Sequence, residues 1–177
     1  MERKHKYIIT AIFCITLITR LVLAFTVPNF TYDSYFHIEQ VNHITENGFP
    51  QYNDPLSYGG RQLFFLPLFH YTAALFSTVL PIELVAKILP NIFLASLTIL
   101  VYVISRKISK NETASLFAAS IAGLLPIIFT TNTFSPETLF LPLMFVAIYS
   151  FLNIDKKNSL YIYMISFLLL SILHPAT

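Results

Sequence analysis

Charge is what this 177-residue sequence most lacks: 11% of its residues are charged, against about 25% in a soluble domain. So few charged side chains cannot cover a water-facing surface, and with 55% hydrophobic residues and a mean hydropathy of +0.67 the composition is that of a polytopic membrane protein. Tryptophan is absent. Cysteine occurs once, at Cys14 inside the first apolar run, which excludes a disulfide framework and offers no thiol site. No block of basic residues points to nucleic acid, and the net charge of +2 says little about partners. Internal repeats and low-complexity linkers are also missing.

What is present is a series of apolar runs, at 7–27, 62–80, 82–105, 114–134, 137–152 and 160–175. The first follows a basic start and is longer than the roughly 7–15 residues of a signal-peptide core, so it reads as an anchor that stays. Basic clusters fall at 3–6, at Arg106, Lys107 and Lys110, and at Lys156 and Lys157. Cytoplasmic loops carry the Lys and Arg excess, and six crossings would put the Arg106 cluster on the wrong side. Five crossings remove the conflict. The run at 62–80, broken by Pro67 and His70, is the weakest spanner and is expected as a juxtamembrane or re-entrant helix. The expected fold is therefore all-α, one transmembrane module with a cytoplasmic N-terminus. Its external loops are 28–81 and 131–137, with the end near His174. Because the last runs are short, a fragment of a longer chain is expected.

The scarce polar groups are not spread evenly. "TYDSYFHIEQVNHITENGFP", residues 31–50, gathers Asp33, His37, Glu39, His43 and Glu46. A helix over 33–47 is expected, capped by Asp33 and stopped by Gly48. Ile38, Val41 and Ile44 form its apolar stripe, with Asp33, His37 and Gln40 on a neighbouring row. The second external loop, "TTNTFSPETLF", holds one acid, Glu137, at a helix start. Arg20 and Lys87 lie within apolar runs near the same outer face, where ionisable residues are functional candidates. Taken singly, each has an architectural explanation: a cap for Asp33, helix-end electrostatics for Glu137, snorkelling for the two bases. Two acids and two bases converging on one membrane face carry more weight than any one of them.

The stretch "DSYFHIEQVNHITENGFPQYNDPLSYGG" resembles the first external loop of class C (GT-C) glycosyltransferases, especially the catalytic subunits of oligosaccharyltransferases. The order that follows is similar too: a juxtamembrane helix, a span ending in basic residues, and a short acidic second loop. The resemblance implies a membrane glycosyltransferase, inactive as this portion alone, that moves a sugar from a polyprenyl-phosphate donor to a protein or lipid-linked glycan acceptor. It makes Asp33 the catalytic carboxylate and Glu137 the acid of the second loop. Ser135 stands where oligosaccharyltransferases carry another acid, which weakens the case for a Mg or Mn site on Asp33 and Glu137. The departure draws the resemblance toward protein mannosyltransferases and lipid-linked aminoarabinose transferases. His37, Arg61, Lys87, Arg20 and His174 are the candidates for binding substrate, with Lys87 first for the phosphate and Arg20 able to pair with Glu83 instead. A transporter subunit or a non-catalytic membrane scaffold is the competing reading.

Overall fold

A computed structural model describes residues 3–54, 59–63, 66–124 and 131–173. Helix α1 (Arg3–Thr26) leads to α2 (Tyr32–Asn47), a two-residue antiparallel pairing of β1 (Asn53–Asp54) with β2 (Arg61–Gln62), and α3 (Leu68–Ser77). Then come α4 (Ile82–Ser109), α5 (Glu112–Leu124), α6 (Glu137–Phe151) and α7 (Lys157–Leu173). Two of these, α1 over Lys4–Thr26 and α4, are long and apolar enough to cross a membrane, while α5, α6 and α7 are shorter apolar helices.

Helix α4 is the axis of the molecule, packing against α1, α5 and α6 and touching α2 and α3. Directions alternate along the chain. The end of α1 meets the start of α4 where Lys87 reaches Ala24 and Val27. Lys107 at the end of α4 meets Asn153 just after α6, and Leu173 at the end of α7 returns to the cluster around Phe69. Helices α1, α4, α5, α6 and α7 thus run up and down, with α2, the strand pair and α3 laid across one end.

That end has the larger core. Val41 and Ile44 of α2, Phe69 and Ala73 of α3, and Val85 and Leu89 of α4 close around Phe134 and Leu173. At the opposite end Ile9, Tyr102 and Ala119 form a second, smaller cluster. Between the two, Gly123 of α5 lies against Thr16 and Thr98. An added Cβ would stand 2.3 Å from Thr98 Oγ1 and 2.7 Å from Thr16 Cγ2, so α1, α4 and α5 approach this closely only around a glycine.

Several boundaries differ from the sequence expectation, three of them near the cavity or at the end of α4. Helix α2 begins at Tyr32 with Thr31 as its N-cap residue, which places Asp33 in the first turn rather than at the cap. Its end is as read: Gly48 takes φ +82°, and its N–H donates to the Ile44 carbonyl at 2.8 Å. The run expected as a helix over 62–80 yields a ten-residue α3, because Gln62 is drawn into the strand pair and the helix ends at Ser77. At 1.5 Å per residue α3 is about 15 Å long, half a hydrocarbon core. Helix α4 continues four residues past the expected 105, to a Lys110 in the left-handed conformation at φ +54°.

Candidate active site

Helix α2 is positioned by what its first turn binds. Ser34 is fully buried on the face that continues through Ile38, Val41 and Ile44. Its Oγ accepts the Phe134 N–H at 2.8 Å and lies 3.4 Å from the Asn132 carbonyl. The Thr31 N–H donates to that same carbonyl at 3.1 Å. The start of α2 is therefore stitched to the 131–136 loop, some 100 residues away in sequence. Asn91 fastens the loop from below: its Nδ2 donates to Thr131 O at 2.9 Å and to Lys87 O at 2.7 Å.

Between these elements lies an open cavity of about 630 Å³. Asp33, His37 and Phe36 line it from α2, Arg61 from β2, and Glu137 and Thr138 from α6. Both acids sit in the first turn of a helix, where the macrodipole favours negative charge. Asp33 is exposed, and among the described residues its carboxylate makes no hydrogen bond or ion pair. The strand pair brings in Arg61, since Asp54 opposite Arg61 and Asn53 opposite Gln62 fold the loop back toward α2. Arg61 is the only Lys or Arg among the described residues lining the cavity.

His37 stands one turn after Asp33, and its Nδ1 lies 2.9 Å from Nε2 of His70 on α3. One ring must donate and the other accept. His70 is buried, and that burial, followed by the charge of His37, pushes its pKa from 6.5 down to about 3. Burial thus favours the neutral form of His70, behind His37 at the cavity wall. The two rings also stand edge to face with Phe69, which fixes their planes.

The other sequence candidates lie elsewhere. Arg20 is fully buried and donates from Nε to Asn91 Oδ1 at 3.0 Å. The Lys87 ammonium caps the end of α1, donating to Ala24 O at 2.9 Å and Val27 O at 2.8 Å, with the rings of Phe25 and Phe30 beside it. Neither lines the cavity among the described residues. His174 lies outside the described residues. Ser135 lines the cavity beside Glu137, and its carbonyl accepts from Thr138. Among the described residues no three His, Cys, Asp or Glu side chains converge. Asp33 and Glu137 are the two carboxylates lining the cavity among the described residues, fewer than a closed protein-built metal site would need.

Sequence reasoning missed Ser34, His70 and Asn91. Each left a signal: Ser34 is the polar member of an apolar stripe, His70 interrupts a greasy run, and Asn91 follows Pro90 inside another. Partners for all three come from distant segments, which periodicity does not reveal.

No protein-family model matches the chain. It is 29% identical over 137 residues to dolichyl-phosphooligosaccharide-protein glycotransferase 2 of Archaeoglobus fulgidus. That alignment covers 72% of this chain and 23% of the relative, so the chain spans about a quarter of the relative's length. The likeness is distant, and it supports a relationship to oligosaccharyltransferases at most.

Proposed function

We propose that the chain forms the catalytic-loop module of a membrane glycosyltransferase of class C. It transfers a sugar from a polyprenyl-phosphate-linked donor to a protein or lipid-linked acceptor at the outer face. One observation carries the reading: Asp33 and Glu137, from loops a hundred residues apart, line a single cavity with His37 and Arg61. The alternating helix directions support five crossings, with α2, the strand pair and α3 at the external end. The ten-residue α3 lies there as a juxtamembrane helix.

In the proposed step the acceptor's nucleophilic atom attacks the anomeric carbon while the Asp33 carboxylate takes its proton. The bond from that carbon to the phosphate oxygen breaks, and the electron pair leaves on the lipid phosphate. Arg61 meets the developing charge, since Lys87 and Arg20 are committed elsewhere. His37 lines the same wall and can hydrogen-bond the substrate. A divalent ion held by Asp33 and Glu137 would supply further charge to the phosphate, but no part of this step depends on it. Glu137 positions the acceptor across the cavity from Asp33.

The test is Asp33→Asn, which keeps the shape of the side chain and removes the base. Transfer from lipid-linked sugar in isolated membranes should fall by roughly 10²-fold or more, with membrane insertion and yield unchanged. Near-parental transfer would leave Asp33 as a first-turn acid of α2 and nothing else.

A further inference from the structure

At the end of the bundle remote from the acids, a second open cavity of about 370 Å³ lies between α4 and α6. It is lined by Tyr102, Val103, Arg106 and Lys107, which are consecutive turns of α4, and by Tyr149 of α6. We propose that this cavity binds the phosphate group of an anionic lipid, a site separate from the proposed catalytic cavity.

Both cations are held in place. The Arg106 Nε donates to Glu112 Oε1 at 2.6 Å, and Tyr102 donates its hydroxyl to the other carboxylate oxygen at 2.7 Å. Lys107 Nζ donates to Asn153 Oδ1. Asn153 is itself buried, and its Nδ2 donates to the Tyr149 carbonyl at 2.8 Å, which turns Oδ1 toward the lysine. A guanidinium and an ammonium each keep N–H groups beyond those used here. One carboxylate neutralises one of the two cations, so the cavity retains a net positive charge.

A helix C-terminus accounts for basic residues in its last turn. It does not account for a cavity that faces them with a tyrosine from another helix, or for an amide locked to orient the lysine. A phosphate oxygen is the ligand that such donors suit, because it accepts several charge-assisted bonds at once. Lys110, Lys156 and Lys157 lie near in the chain and add to the field at this end. Basic pockets between membrane helices are suited to anionic headgroups, and a bilayer supplies such lipids at this depth. The source is therefore taken to be a lipid headgroup rather than free phosphate.

The experiment compares thermal unfolding of the full chain in phosphatidylcholine nanodiscs with and without phosphatidylglycerol, and in phosphatidylcholine with inorganic phosphate. The parent should melt higher with phosphatidylglycerol, and Lys107→Gln should need about fivefold more of that lipid for the same rise. Arg106→Lys, which keeps the charge but loses the fork, should fall between the two. A rise with inorganic phosphate equal to that with the lipid would overturn the lipid assignment. The absence of any rise would overturn the site, as would an equal rise in parent and Lys107→Gln, which would mean nonspecific surface charge. Failure of Asp33 as a base would leave these results untouched, so the two proposals stand or fall apart.

Discussion

The two ends of the bundle use polar residues in opposite ways. At the cavity end the contacts that stitch α2 to the 131–136 loop are neutral: Thr31, Ser34, Asn91, and the backbone of Thr131, Asn132 and Phe134. Lys87 and Arg20 join α1 to α4 nearby, while Asp33, Glu137 and Arg61 line the open cavity. At the other end charge does the joining, with Arg106 on Glu112 and Lys107 on Asn153 tying α4 to α5 and to the end of α6. The sign differs as well, since acids exceed permanent cations along the first cavity and cations exceed acids along the second. Where neutral hydrogen bonds carry the architecture, ionisable side chains are left to act on a ligand.

The comparison can be broken at its middle first. Gly123→Ala should destabilise both ends together by about 3 kcal/mol, because its Cβ meets Thr98 and Thr16 where three helices cross. Adding Thr98→Ala should recover part of that loss. A melting temperature unchanged by Gly123→Ala would show that α5 is free to shift.

Ser34→Ala tests the cavity end alone. It leaves the buried Phe134 N–H without its acceptor, at a cost of about 1–3 kcal/mol. Because it also loosens Asp33 from the loop that leads to Glu137, transfer should fall by roughly tenfold or more at a temperature where the variant is folded. A loss of stability with parental transfer would mean that the stitching serves the fold only.

Near neutral pH the smallest effect is that of His70, which grows only as pH falls. Its pKa is lower in the fold, about 3 against 6.5, so the unfolded chain binds the extra proton as pH falls through that window. Stability should therefore drop below pH 6.5, by up to about 1.4 kcal/mol per unit, and His70→Gln should flatten the slope. A slope equal in parent and variant would assign the acid sensitivity to other groups.

Much of the site's membership was legible in the sequence, for a simple reason. In a chain with so little charge, Asp33, His37, Arg61 and Glu137 stand out against an apolar background, and all four line one cavity. The stop of α2 at Gly48 was equally readable, because a positive φ calls for glycine. Its start was not. Thr31 and Asp33 are both acceptable caps, and the choice between them follows from the 131–136 loop, which binds Thr31 and Ser34 and fixes where the helix begins.

Composition and the spacing of apolar runs thus determined by themselves that this is a chain of apolar helices, two of them long enough to cross a membrane, with polar residues gathered between them. Those properties depend on residues near one another in sequence and on the cost of exposing them to the wrong solvent. The tertiary structure decided which charges remain available. Arg20, Lys87 and Arg61 are all sequence candidates for the phosphate, with Lys87 preferred. Only packing sends the first to a buried Asn91, the second to the carbonyls ending α1, and leaves the third at the cavity wall. A long basic side chain can reach many partners, and which one it meets is set by helices that come together from far apart in the chain.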